Sequence, residues 1–325
     1  MARDYDYEDM LQVKASWYYY MEDMTQQEIG EHLGISRLRV NKLLDKARKN
    51  GVIQFSVRAR DNSRMEIERE FAKQFGLTDV FIVPPAHNDG DINENVAQAA
   101  ATYIYDHLDR DSFINMGYGD TPGRVLNHMA KISEFPINVV SLTGGVSYYL
   151  PNTQSDIFNA KLHLTPTPLV LQNASIIPEL EREPSVMQIL NMSRLAKMTF
   201  IGIGGMDEDA TVLKNGLLSR DDYLLLSMKG AVGDLLCHFI DANGQPVPSD
   251  IEGRLISTSL DKLKAMSNVV AVAVGAHKAK AILATLRGGY LSTLITDEAT
   301  AIRIMDLNKE ETDINREKGG GQHEQ

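Results

Sequence analysis

Two charged side chains stand where this chain could grip a small polar molecule. Asp234, in "KGAVGD", follows a pair of glycines that let other backbone come close, and Lys278 opens a helical stretch directly after the apolar run "AVAVG". A carboxylate accepts hydrogen bonds from vicinal hydroxyls, and an ammonium beside free backbone amides holds a phosphate, so together the two could hold a sugar at both ends. Taken singly, Asp234 also reads as a helix cap and Lys278 as a solvated surface charge. His277, next to Lys278, reads as a further donor or as an exposed helix-start histidine.

Three glycine-bearing segments follow apolar runs: "GYGDT" at 117–121, "LTGG" at 142–145 and "GIGG" at 202–205. Gly117, Gly119, Asp120, Thr121, Thr143, Gly144, Gly145 and Gly204 thus lie where a strand end leaves amides open to a ligand. None of the three carries the phosphate-loop lysine or the full dinucleotide fingerprint. The eight histidines are scattered without metal-ligand spacing, Ser141 and Ser147 flank glycines without a nucleophile elbow, and the one cysteine, Cys237, sits in apolar "DLLCHFI" as a structural thiol. No metal, cofactor or catalytic residue is expected.

A different chemistry is written near the amino terminus. Formal net charge is −11, yet residues 36–60 hold eight Lys/Arg against the single Asp45, a local +7 that leaves −18 on the rest. Thr25 and Glu28 have capping-box spacing, Gly34 ends the helix they open, and Ser36 can cap a second. In that second helix Val40, Leu43, Leu44 and Ala47 share one apolar face; the opposite face presents Leu38, Asn41, Lys42, Asp45, Lys46 and Lys49, with Arg37 beside them. This is helix-turn-helix spacing, with the second helix in the DNA major groove. DNA contacts are expected from Ser36, Arg37, Leu38, Arg39, Asn41, Lys42 and Lys46: Arg37, Asn41 and Lys42 on bases or phosphates, and Leu38 on a thymine methyl. Residues 51–58, "GVIQFSVR", alternate as a short strand or wing would, which could bring Arg58 and Arg60 to phosphates.

The elements that must position these groups follow from periodicity. "EDMLQVKASWYYYMEDM" lacks Gly and Pro and reads as a first helix with aromatic residues all around it. "SRMEIEREFAKQFGL" places Ile67, Phe71 and Phe75 four apart before Gly76, a linker helix with a glycine stop. Beyond it, short apolar runs ("VFIV", "FINM", "NVVSLT", "FIGI", "VVAVAV", "LSTLIT") alternate with helical stretches, the signature of a mainly parallel α/β sheet covered on both faces. Length and composition give two domains: a helix-turn-helix domain over 1–60 and an effector and oligomerisation domain over 61–309, with a polar tail, 310–325, read as disordered. No secretory signal or apolar run of about 18 residues is evident, so a cytoplasmic protein with no membrane partner is expected.

In combination and order, "YYYMEDMTQQEIGEHLGISRLRVNKLLDKARKNGVIQFSV", "GYGDT", "SLTGGV", "IGIGG", "KGAVGDLLCHFIDANGQPV" and "GAHKAKAILATLRGGYLSTLITDEATA" resemble the SorC family of bacterial sugar-responsive transcriptional regulators, over about residues 11–304. The resemblance implies a DNA-binding head, a larger α/β effector domain similar to the sugar-phosphate isomerase and deaminase fold, homo-oligomers (dimers or tetramers) on operator DNA, and a sugar, polyol or sugar phosphate as effector. By motif position it implies a pocket of Gly119, Asp120, Thr121, Gly144, Gly145, Asp234 and Lys278, with Asn159 of "IFNA" near it. The alternative, an isomerase- or deaminase-like enzyme with a DNA-binding head, requires an acid–base set; Met206 stands after "IGIGG" where such deaminases resemble an Asp-Gly-His arrangement.

Overall fold

Thr25 and Glu28 do form the capping box: the Glu28 amide donates to Thr25 Oγ1 at 3.3 Å while the Thr25 amide donates to Glu28 Oε2 at 2.8 Å. The helix they start, α2 (Gln26–Leu33), follows α1 (Tyr7–Tyr20) and ends at left-handed Gly34; Ser36 then caps α3 (Arg37–Lys49) by accepting from the Arg39 amide at 3.2 Å. Gly30 permits the tight turn, since a Cβ there would stand 2.7 Å from the Ile35 carbonyl oxygen. Leu11 and Ala15 of α1, Ile29 of α2 and Val40, Leu43 and Leu44 of α3 bury one small core, with Tyr18 and Tyr20 packed on it and Trp17 and Tyr19 exposed. The computed structural model describes residues 7–53, 59–85, 91–145, 159–208 and 210–320, of which 59–63 and 312–320 are described as backbone only. The expected wing therefore lies outside the described residues from Gln54 on, as does Arg58.

The chain divides into two compact units, Met1–Asn62 and Ser63–Gln325. Helix α4 (Ala59–Phe75) is more than the expected linker: Phe71 is fully buried in the core of the larger unit, and Glu68 accepts from the Ile82 amide at 2.7 Å. That unit continues through β1 (Asp79–Val83), α5 (Ile92–Asp106), β2 (Phe113–Met116), α6 (Asp120–Ile132), β3 (Ile137–Gly145) and β4 (Ala160–Pro168). Next come α7 (Ile177–Leu180), α8 (Pro184–Leu195), β5 (Met198–Ile201), β6 (Gly204–Gly205), α9 (Thr211–Lys214), α10 (Arg220–Met228), β7 (Gly233–Leu235) and β8 (His238–Ile240). It closes with α11 (Leu260–Lys264), β9 (Val269–Val272), α12 (Ala279–Gly288), β10 (Thr293–Asp297) and α13 (Glu298–Gly320).

Seven strands form a parallel sheet in the order β1-β10-β9-β5-β2-β3-β4, and β6-β7-β8 form a small antiparallel sheet. The near-continuous apolar runs reflect burial on both faces. Ile114, Met116, Phe200, Val270, Val272 and Ile295 face a core built with α5 and α6, while Val80, Ile82, Ile201, Val269, Ala271 and Leu294 face one built with α4, α12 and α13. The tail expected to be disordered from residue 310 is helical to Gly320; residues 321–325 lie outside the described residues. Helix α13 is nucleated by a buried first half (Ala301, Ile304, Met305), and the Glu, Asn, Arg and Lys residues beyond propagate a helix at little cost once it is started.

Truncating Leu43, fully enclosed in the three-helix core, removes buried methyl groups, with an expected cost of about 2–5 kcal/mol. Trp17 is the only tryptophan in the chain and lies on α1. The urea midpoint of its fluorescence should fall in Leu43→Ala; an unchanged midpoint would contradict this packing.

Candidate functional site

Strand order reverses between β2 and β5, since β2 leads through α6 to β3 on one side while the chain after β5 returns on the other as β9. Ligands of open α/β sheets bind in the crevice beyond the strand ends at such a point. Here that crevice is a cavity of about 560 Å³ whose lining includes Gly119, Asp120 and Thr121 after β2, Gly204 after β5, Asp234 on β7, and His277 with Lys278 before α12. Seven of the expected effector residues thus converge from four separate stretches of sequence.

Asp234 is the chemically distinctive member. Its side chain is buried, and its Oδ2 accepts from the Cys237 amide at 3.1 Å. Burial pushes its carboxyl up to about 6, against the opposing pull of that amide and the Lys278 charge. The glycines around it serve close approach rather than open amides. Gly204 pairs with Asp234 across β6 and β7, and a Cβ on Gly204 would fall on the Asp234 carboxylate; one on Gly233 would strike Ala281 of α12. The hairpin from β7 to β8 turns on Leu236 and Cys237, both with left-handed backbone (φ 53° and 69°), a conformation that non-glycine residues adopt at a cost. The turn directs the Cys237 amide at the carboxylate and presses Leu236 into the cavity floor against Gly117. Cys237 itself is buried, and burial raises its thiol well above the usual range, as a structural cysteine requires.

Lys278 is half-buried in a 3-10 turn, Ala276–Lys278, and forms no ion pair among the described residues. On its α6 side the cavity meets the first amides of that helix, because Gly119 (φ 141°) supplies no side-chain cap. Sequence reasoning misses Arg124, which lines this side and binds Asp120 at 2.8 Å, Glu94 at 2.8 Å and Asp91 at 3.3 Å; Glu94 also meets His128 at 2.8 Å. Its charge is thereby balanced; Lys214, which also lines the cavity, has an interaction of its own, and Lys278 is the lining lysine that makes no ion pair among the described residues. Tyr118, Asp207 and Asn215 also line the cavity unforeseen, and His277 Nε2 stands 3.9 Å from Asp207. Only the three-dimensional pairing of distant segments could have identified them.

Five expected effector residues lie elsewhere. Gly117 is an extension of β2 that donates to the Phe200 carbonyl at 2.8 Å, behind the cavity floor. Gly144 spends its amide on the Ile256 carbonyl at 2.7 Å and packs against the Pro168 backbone, and the Gly145 carbonyl accepts from Leu169. Thr143 belongs to a second cavity. Asn159 immediately precedes β4, where it donates to the Ser133 carbonyl at 3.0 Å, at the amino ends of the strands and so at the wrong end of the sheet for this crevice.

In the smaller unit, Ser36 is the cap of α3, and Arg37, Leu38, Arg39, Asn41, Lys42 and Lys46 are all exposed. Leu38 is 65% exposed amid polar neighbours, a position that packing alone does not favour. Glu8 of α1 pairs with Arg39 at 3.4 Å and Lys46 at 3.6 Å, whereas Arg37 and Lys42 make no ion pair among the described residues.

The family model for a sugar-binding domain (Sugar-bind) matches residues 60–306, and that for sigma-70 region 4 matches residues 17–50. The transcriptional regulator LsrR of Klebsiella pneumoniae is 33% identical over 304 residues, covering 92% of this chain and 94% of that protein. LsrR of Escherichia coli K12 is 32% identical over 296 residues, covering 90% and 93%. The full-length sorbitol operon regulator SorC from Klebsiella pneumoniae shares the fold with a TM-score of 0.65 and 24% identity, over 91% of this chain and 98% of that one. Relatives of this extent are regulators, which sets aside the enzymatic alternative.

Because Asp234 titrates higher when folded than in an open chain, its ionisation opposes folding as pH rises from about 4 to about 6, and the penalty persists above. Asp234→Asn keeps an acceptor for the Cys237 amide and removes the charge. It should stabilise the protein by about 1–3 kcal/mol at pH 7.5, with the gain shrinking towards pH 4, in urea titrations at both pH values. An equal effect at both would contradict the burial argument.

Proposed function

The chain belongs to the SorC family of sugar-binding transcriptional regulators, and on that premise we propose that a sugar, polyol or sugar phosphate held between Asp234 and Lys278 sets its affinity for operator DNA. The observation that carries this reading is that one crevice at the sheet's switch point is lined by both a buried carboxylate, Asp234, and an ammonium, Lys278, that makes no ion pair among the described residues. Asp234 accepts from vicinal hydroxyls. Lys278 and the first amides of α6 hold a phosphate or an electronegative oxygen at the opposite end. His277 stands at the rim, while Gly119, Asp120, Thr121 and Gly204 shape the walls.

On the DNA side, Arg37, Asn41 and Lys42 project from the first turns of α3, the part of a recognition helix that meets base edges and phosphates, with Leu38 placed for a thymine methyl. Arg39 and Lys46 reach DNA only by leaving Glu8, an exposed exchange worth little either way. A single three-helix head makes few contacts, so the regulator acts as a homo-oligomer, a dimer or tetramer reading two half-sites. No helix among the described residues is long and apolar enough to cross a membrane, which agrees with work on DNA in the cytoplasm. An effector alters operator affinity only as far as it binds the two oligomer arrangements unequally, and a tenfold change needs about 1.4 kcal/mol, within reach of one charge-assisted hydrogen bond.

Genomic fragments enriched by the protein provide the DNA for testing this. In fluorescence anisotropy at several salt concentrations, Lys42→Ala should weaken binding and reduce the slope of log K against log salt by about one. Lys278→Ala should bind the same fragment as the wild type does without effector, but fail to respond to the metabolite that shifts the wild type. An intact response in Lys278→Ala would refute the assignment of the pocket.

A further inference from the structure

The second cavity, about 350 Å³, lies against the sheet face turned away from α5 and α6, and its lining shares no residue with the crevice at Asp234. Its floor is polar: Asn115 of β2, Thr143 of β3, Thr167 of β4 and Thr199 of β5 are all more than nine-tenths buried. Its walls are largely apolar, with Val186 and Leu190 of α8 and Leu255 and Ile256 of the strand-like segment that crosses the ends of β3 and β4.

Three floor atoms have no hydrogen-bond partner among the described residues: Asn115 Oδ1, Thr143 Oγ1 and Thr167 Oγ1. Buried polar atoms of this kind are rare and costly unless something satisfies them. The orientation of Asn115 is fixed, because its Nδ2 faces the Ser193 carbonyl at 3.1 Å, which can only accept, and Thr199 Oγ1 at 3.2 Å. Its Oδ1 is therefore an acceptor in want of a donor. The two threonine hydroxyls can donate or accept. The charged lining residues, Glu181, Arg194 and Lys262, are all exposed at the rim, so no ion stands inside. An anion or cation entering here would lose its hydration without gaining a counter-charge.

We propose that this cavity is a second ligand site, for a neutral hydroxyl-bearing molecule the size of an unphosphorylated monosaccharide or cyclic polyol. Hydroxyls of the ligand donate to Asn115 Oδ1 and exchange hydrogen bonds with Thr143 and Thr167, while its C–H faces lie on the aliphatic walls. The site complements the Asp234 crevice, whose ammonium suits an anionic end. Asn115 and Thr199 lie four and three residues before Gly119 and Gly202, glycines that line that crevice, so both ligands bear on β2 and β5.

The test is calorimetry and saturation-transfer NMR on the full chain with glucose, mannitol, myo-inositol and erythritol. At least one should bind saturably, at one per chain. Thr143→Val and Thr167→Val, which replace an unpartnered hydroxyl with a methyl of the same size, should each weaken that binding at least tenfold, whereas Thr143→Ser, which keeps the hydroxyl, should retain it. Lys278→Ala should leave it unchanged, which separates this site from the proposed effector crevice. Absence of saturable binding by all four compounds, or binding lost in Lys278→Ala and kept in both valine variants, would overturn the proposal.

Discussion

A carboxylate taken out of water must be paired, protonated or expelled, and the larger unit is arranged around keeping Asp234 in place all the same. The constraint reaches outward through contacts that each forbid something. Gly204 can carry no side chain because the carboxylate fills that space, and Gly233 can carry none because α12 closes over it. The β7–β8 turn accepts left-handed backbone at Leu236 and Cys237, and in return the Cys237 amide points at the carboxylate. Strain of this sort concentrates where function over-determines a geometry. With one amide as its hydrogen-bond donor among the described residues, Asp234 retains acceptor capacity for a ligand.

The surrounding charges are organised so that this capacity is not cancelled from within. Arg124, the cation nearest the start of α6, is fully engaged by Asp91, Glu94 and Asp120, and His128 adds to the same cluster. That cluster fixes α5 against α6 and so holds the first turn of α6 at the crevice. Lys278, by contrast, makes no ion pair among the described residues. The separation of charge along the chain has a parallel logic, since a basic α3 attached to an acidic body confines attraction for phosphates to the head.

Much of this was legible in the sequence, for identifiable reasons. Thr25, Glu28, Gly34 and Ser36 mark helix ends through local hydrogen bonds that need no tertiary context, and the doubly buried strands announce themselves as apolar runs. Strand β4 does not: at the sheet edge it alternates polar with apolar residues and tolerates Pro166 and Pro168, so it imitates a loop. The β7–β8 hairpin hides for the opposite reason, because Leu and Cys occupy a turn usually signalled by Asn or Gly. At the site, the residue types at Asp234 and Lys278 carry their own chemistry. The "LTGG" glycines mislead because glycine marks close backbone approach as readily as ligand approach, and only the structure shows Gly144 against Pro168.

The central claim is that Asp234 and Lys278 grip opposite ends of one metabolite. Thermal unfolding of the full chain against a panel of sugars, polyols and their phosphates tests it most directly, since ligand at 100 times its dissociation constant adds about 2.7 kcal/mol to stability. The account requires a compound that raises the wild-type midpoint and fails to do so in either Asp234→Asn or Lys278→Ala. A compound that stabilises both variants as much as the wild type would contradict it.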